Sequence, residues 1–117
     1  MRVLVCGGRD FTDDDWFFEV MNEINDTYNF HNKITKIIHG GARGADSLAD
    51  MFAKANNISV DVFEADWYKY GRSAGPLRNQ RMLDEGKPDL VVAFPGGKGT
   101  AHMVKIAKEA NITVKEI

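Results

Sequence analysis

Short apolar runs alternate along this chain with longer stretches in which apolar residues return every three or four positions. Arg2 to Cys6 is a compact apolar run and predicts a buried strand. Trp16, Phe17, Val20, Met21 and Ile24 then recur at helical spacing and predict an amphipathic helix over residues 13–28. Thr12, with Asp15 three residues on, reads as its start. Residues 29–33 are polar and read as a loop, and Ile34 to His39 is a β-branched second strand. A second helix is predicted over 44–56, with Leu48, Met51, Phe52 and Ala55 on one face. Ser59 to Phe63 alternates as a third strand, and Glu64 to Gly75 reads as a longer loop. A short helix over 76–85 opens on Pro76, a favourable first helical position. Asp89 to Phe94 is a strongly apolar strand, residues 99–110 a helix, and Ile112 to Ile117 a last strand.

Strands alternating with helices imply a parallel sheet covered on both faces. The predicted architecture is α/β: a single Rossmann-like domain over residues 1–117, with a five-stranded parallel sheet flanked by helices on both faces. Three glycine-rich turns fall where a strand gives way to a helix. They are Gly7-Gly8-Arg9-Asp10, Gly40-Gly41-Ala42-Arg43-Gly44-Ala45-Asp46 and Pro95-Gly96-Gly97-Lys98-Gly99-Thr100. In an open parallel sheet all three lie at the carboxyl ends of the strands, where such folds bind ligands. Glycines there let backbone N–H groups approach an anion, and helix N-termini add positive dipole ends. The pattern points to a phosphate-bearing small molecule.

Composition narrows this picture. A length of 117 residues suits one domain, and 44% hydrophobic content supplies one core. The formal charge of −2 argues against a protein that coats nucleic acid. Cys6 is the sole cysteine, so no intrachain disulfide forms, which suits a reducing cytosol. The first residues are already strand-like and no apolar run approaches membrane-spanning length. The expectation is a cytoplasmic protein without a membrane partner. His31, His39 and His102 have no metal-ligand spacing with Cys6, and Asp13 to Asp15 suit a helix N-terminus, so neither metal nor cofactor is expected.

The candidate ligand residues follow from the turns. In the third, Gly96, Gly97 and Gly99 expose N–H groups as an anion nest after Pro95, Thr100 caps the helix or binds a phosphate oxygen, and Lys98 points to the anion or to water. In the second, Gly40 and Gly41 let a ligand sit against backbone, Arg43 suits a bidentate phosphate contact, and Asp46 serves the helix dipole or accepts from a ribose hydroxyl. In the first, Gly7 and Gly8 do the same, while Arg9 and Asp10 equally suit a salt-bridged pair. Arg78, beside Asn79, and Arg81 stand near a helix N-terminus, where the dipole disfavours cations; an anionic partner explains Arg78, while Arg81 equally suits solvent or a salt bridge to Asp84 or Glu85. Trp67, Tyr68 and Tyr70 stack on a base or anchor the long loop. The aromatic surface of Trp16, Phe17 and Phe18 exceeds what one core face needs.

With these motifs together, the chain resembles the SLOG superfamily, most closely its YspA-like branch of small proteins found in bacteria and their phages. The resemblance rests on Gly7-Gly8-Arg9-Asp10-Phe11, His39 to Asp46, Gly75-Pro76-Leu77-Arg78-Asn79 and Phe94 to Thr100, four motifs in order over nearly the whole chain. It implies a Rossmann-like fold, a nucleotide or nucleotide-derived and possible ADP-ribose-like ligand held for sensing or sequestration, and self-association into a homo-oligomer. Two relatives suggest alternatives. The LOG phosphoribohydrolases cleave the N-glycosidic bond of a nucleoside monophosphate with the glutamate of PGGxGTxxE and an upstream arginine. Arg78 matches that arginine, but Met103 stands at the glutamate, and a thioether cannot assist water. Hydrolysis here would need a carboxylate from Glu64, Asp66 or Asp46. The single-strand-binding DNA-processing protein A shares a segment like Ala42-Arg43-Gly44-Ala45-Asp46 and an Arg-Asn pair like Arg78-Asn79, but the acidic balance disfavours strand binding.

Overall fold

The computed structural model describes residues 1–27 and 33–117. Its elements are β1 (Arg2–Cys6), α1 (Asp14–Thr27), β2 (Lys36–His39), α2 (Ala45–Ala55), β3 (Ser59–Val62), α3 (Trp67–Tyr70), a 3₁₀ turn (Gly71–Ser73), α4 (Ala74–Asp84), β4 (Leu90–Ala93), α5 (Lys98–Glu109) and β5 (Thr113–Glu116). The strands form one five-stranded sheet in the order β3-β2-β1-β4-β5. Every pairing is parallel, and Leu4 lies level with Ile38 on one side and Val91 on the other. The expected α/β Rossmann-like fold is therefore present.

Successive strand residues face opposite sides, so each central strand supplies two cores. Val3, Val5, Leu90 and Val92 pack under α1 and α2 with Phe17, Met21 and Phe52. Leu4, Cys6, Val91 and Ala93 pack under α4 and α5 with Met82, Met103 and Ala107. Continuous apolar runs in β1 and β4 follow from this two-sided burial. The edge strands differ: Ser59 and Val62 in β3, and Thr113, Lys115 and Glu116 in β5, are exposed. Each edge strand has a neighbour on one side only and less helix above it.

Three local expectations are corrected. Asp13, not Thr12, caps α1: its carboxylate accepts the N–H of Trp16 at 3.1 Å, an ionised acceptor seated next to the first helical residue. Residues 64–75 contain α3 and the 3₁₀ turn rather than loop alone. The side chain of Asp66 caps α3 by accepting from the Lys69 N–H at 3.0 Å, and one helical turn is too short to show periodicity. The fourth helix begins at Ala74, two residues before Pro76, which still lies in the first turn where no N–H is needed. The expected end of the first helix at residue 28 and most of the 29–33 loop, with His31, lie outside the described residues.

The aromatic surplus of α1 is largely taken up within the chain. Phe17 stacks on Phe94 at 4.5 Å between centroids, and Phe11 and Trp16 pack on the same ring at 5.3 and 6.4 Å. This cluster ties the loop after β1 to the end of β4, beneath the glycine turns.

Gly44 shows how closely those turns are packed. It caps α2 at a φ of 77°, in the left-handed region, and a Cβ there would run into the backbone carbonyl oxygens of Gly8 and Arg9. Gly44→Ala should therefore cost about 1–3 kcal/mol of stability in urea unfolding. An unchanged midpoint would show that the loops separate freely.

Candidate functional site

The loops after β1, β2 and β4 meet at the carboxyl edge of the sheet, where the strand order reverses between β1 and β4. Gly8 donates its N–H to the Pro95 carbonyl at 2.9 Å and accepts the N–H of Ala45 at 3.2 Å. Beside this junction lies a cavity of about 610 Å³ walled by the first loop, α4 and the start of α5. A shallower lobe of about 390 Å³ adjoins it, between the second loop and the Glu64 segment. Arg9, Ala42, Trp67 and Arg78 belong to both walls.

The glycines of the three turns divide into two kinds. A Cβ on Gly7 would stand 2.6 Å from that of Ala45, and one on Gly8 3.0 Å from the Pro95 oxygen, so these glycines let backbones pack together. Gly40 gives way to the Arg78 guanidinium, and Gly96 to Thr100. Gly97 and Gly99 behave oppositely: a Cβ on either meets nothing within 4 Å, and both line the larger cavity. The protein's own packing does not require glycine there. Gly97 caps α5 without a side-chain hydrogen bond, and the first N–H bonded along this helix is that of Ala101, to Gly97 at 3.1 Å. The N–H groups of Lys98, Gly99 and Thr100 thus have no intrahelical acceptor. The start of α2 differs in that its first N–H, that of Ala45, goes to Gly8, while Ala42 in the preceding turn donates to the Asp46 carboxylate at 3.2 Å.

Charge in the larger cavity runs against that of the chain. Arg9, Arg72, Arg78 and Lys98 line it, opposed only by Asp46 among its lining side chains, while the whole protein carries −2. Arg78 is half-buried. Its Nη1 donates to the Gly40 carbonyl at 2.7 Å and its Nε to Asn79 Oδ1 at 3.1 Å. Burial pulls its pKa below the usual arginine value, against the opposing pull of the Asp46 charge. Asp46 is 8% exposed, and burial raises its carboxyl above the usual range, partly offset by the Ala42 hydrogen bond. Asn79 is also buried. Its Nδ2 donates to the Gly99 carbonyl at 3.2 Å and to His102 Nδ1 at 3.1 Å, which joins the Arg78 helix to the start of α5. His39 fixes the second turn: Nδ1 accepts the Gly41 N–H at 3.0 Å, leaving Nε2 to donate to Asp50 at 3.0 Å. Asp50 also pairs with Lys54 at 2.7 Å; this pair first, then His39, holds its carboxyl below the usual range.

The structure brings most of the singled-out residues to the cleft. Gly7, Gly8, Arg9, Asp46, Trp67, Arg78, Asn79, Gly97, Lys98, Gly99 and Thr100 line the larger cavity. Gly40, Gly41, Arg43 and Glu64 line only the smaller lobe. Pro95 and Gly96 stand behind the wall, and Asp66 is engaged as the cap of α3. Arg9 does not pair with Asp10; its guanidinium lies 5.2 Å over the Trp67 ring, while Asp10 meets Arg43 at 3.4 Å on the surface. One face of Trp67 is thereby occupied by a cation. Tyr68 and Tyr70 are outside both walls, Arg81 pairs with Glu85 at 2.9 Å, and Met103 is fully buried in the core. Sequence reasoning missed Arg72, which the unread 3₁₀ turn presents, and His102, one turn into α5. Cys6, read as the end of a buried strand, also lines the cavity, together with the buried Met82. Among the described residues no group of three His, Cys, Asp or Glu side chains is placed to hold a metal ion, and no helix is long and apolar enough to cross a membrane.

Residues 1–70 match the family described as the YspA, cpYpsA-related SLOG family. The Gene 61 protein of Mycobacterium phage D29 is 36% identical over 120 aligned residues, which span 97% of this chain and 93% of that protein. The chain belongs to the YspA, cpYpsA-related SLOG family. The family match covers the first two glycine turns, and the similarity to the phage protein extends over the third. This SLOG protein therefore has its cation-lined cleft at the edge where Rossmann-like sheets bind ligands.

Cys6, at the floor of this cleft, is held as the neutral thiol. Burial, with the Asp46 charge behind it, pushes the thiol up to about 12. The thiolate that reacts is formed only as pH rises through that value, so at pH 8 alkylation of the native protein should run about a thousandfold slower than for a free thiol. Iodoacetamide labelling followed by mass spectrometry, native against urea-unfolded, checks this. Rapid native labelling would mean that the cavity floor is wet and open.

Proposed function

We propose that the cleft binds a nucleotide or nucleotide-derived ligand through its phosphate, and that the protein senses or sequesters that ligand. The observation that carries this reading is the open start of α5: free N–H groups and two glycines without packing constraint, in a wall of Arg9, Arg72, Arg78 and Lys98. A phosphoryl group there receives backbone donors, the helix dipole and charge-assisted bonds together. The apolar stretch of wall formed by Cys6, Met82 and Pro76 suits the flat face of a base. Family membership supports a nucleotide-related ligand in general terms.

A second reading is cleavage of an N-glycosidic bond. Asp46 favours it as the carboxylate in the larger cavity, near the Arg78 charge. Met103, at the position of the glutamate in the hydrolase motif, lies in the core and offers no alternative. Proton NMR of the protein with AMP, NAD or ADP-ribose separates the readings. Line broadening without new peaks is expected for a binding module, whereas signals of free base and ribose would make it an enzyme.

Gly97→Val tests the site itself. A Cβ there meets no protein atom within 4 Å, so the fold should survive with only a small drop in thermal midpoint from the poorer N-cap, while the side chain fills the space that a phosphate requires. Loss of at least tenfold in AMP affinity by calorimetry is expected. Wild-type affinity would place the ligand elsewhere.

A further inference from the structure

Asn79 is 5% exposed, and its amide is fully engaged by the protein. Oδ1 accepts from Arg78 Nε at 3.1 Å, and Nδ2 lies 3.2 Å from the Gly99 carbonyl and 3.1 Å from His102 Nδ1. Two of these partners fix which way the amide faces. Arg78 Nε has only a proton to give, and the Gly99 carbonyl only lone pairs. Turning the amide over would set donor against donor at Arg78 and acceptor against acceptor at Gly99, both in part-buried surroundings. Nδ2 therefore keeps one proton for His102, and Nδ1 receives it.

That direction decides the tautomer of His102. A ring nitrogen that accepts a hydrogen bond carries no proton, so the proton of the ring is on Nε2. Among the described residues no buried side-chain nitrogen or oxygen lacks a partner, so Nε2, which has none among them, is open to solvent. His102 is half-buried and lines the larger cavity. It follows Lys98 by four residues, so the two share one face of α5, and both belong to the same wall. That wall therefore offers an uncharged N–H donor beside a cation. Arg78, tied to the same amide, also donates from Nη1 to the Gly40 carbonyl at 2.7 Å. One buried amide thus joins Arg78, the backbone of Gly99 and His102, three parts of the cavity wall carried on two helices.

We infer that His102 is a ligand-binding residue that donates from Nε2 to an acceptor atom of the ligand, and that Asn79 is the positioning residue that holds Nδ1 and so keeps this donor in the cavity wall. The contact selects for a ligand atom with a free lone pair, and a ligand N–H at the same place is turned away. The inference rests on the nucleotide reading of the cleft and adds to it one contact and the residue that orients it.

Nitrogen-15 NMR of the imidazole rings, with His102→Gln to assign the signal by its loss, reads the tautomer directly. The wild type should show His102 protonated at Nε2 alone, and saturating AMP should move that signal. In Asn79→Asp the carboxylate has no proton to give, so Nδ1 must become the donor and the tautomer should change. Calorimetry with AMP supplies the second readout. His102→Gln, whose amide both accepts and donates, should bind within about threefold of wild type, whereas His102→Leu, which does neither, should bind about tenfold more weakly. His102 is half-buried and both replacements are good helix formers, so both variants should keep the fold. A wild-type ring protonated at Nδ1, or an unaltered tautomer in Asn79→Asp, would overturn the positioning role of Asn79. Wild-type affinity in His102→Leu would overturn the ligand contact and leave the nucleotide site standing. No binding of AMP by the wild type would overturn the contact and the nucleotide reading together.

Discussion

Gly8 is the residue on which the site depends, because it gives both of its backbone groups to other loops. Its N–H goes to Pro95 and its carbonyl to Ala45, so one peptide neighbourhood ties the ends of β1 and β4 to the start of α2. Such contacts require backbones to approach within hydrogen-bond distance, which side chains at Gly7, Gly8, Gly44 and Gly96 would prevent. The interlock satisfies polar groups that would otherwise be orphaned at the mouth of a buried sheet. It also sets the relative position of the two helix starts, of which only that of α2 is tied to Gly8.

The electrostatics follow from that geometry. With the first N–H of α2 taken by Gly8 and, among the described residues, none of the first-turn N–H groups of α5 taken by another loop, the positive end of α5 is the more open pole of the two. The arginines gathered around it would be destabilising beside a helix N-terminus in an empty, dry site. They are tolerated because Arg78 is anchored on a carbonyl and Asn79, Arg9 rests on an aromatic face, and Asp46 supplies a counter-charge from the floor. Each of these supports orients a cation without neutralising it by a direct ion pair. That is the arrangement expected where the missing charge arrives with a ligand.

Much of this was legible in the chain. Two-sided burial makes the central strands read as unbroken apolar runs, and α1, α2 and α5 are long enough to show their period, so the sheet and most helices followed from pattern alone. The glycine turns do meet at the carboxyl edge of the sheet, as their places after β1, β2 and β4 implied. Pattern did not distinguish a glycine that admits another backbone, such as Gly44, from one that faces open space, such as Gly97, because both appear as a small residue in a turn. It also missed α3 and the 3₁₀ turn, each too short for periodicity, and with them Arg72. His102 was invisible for a different reason: its place in the wall depends on Asn79, from another helix, holding Nδ1.

The buried Met103 bears on what the fold can be asked to do. Apolar burial at that position fills the space between α5 and the sheet, and a glutamate there would have to be desolvated or turn out into the cavity. With methionine, α5 packs without that conflict, and its first turn presents backbone donors but no carboxylate. The carboxylate left in the larger cavity, Asp46, sits on α2 and is already engaged by the Ala42 amide. It is well placed to hold a hydroxyl in register and less free to accept a proton from attacking water. Both observations bear on the proposed binding role in the same direction: the α5 turn offers backbone donors, and the carboxylate nearest it is already engaged.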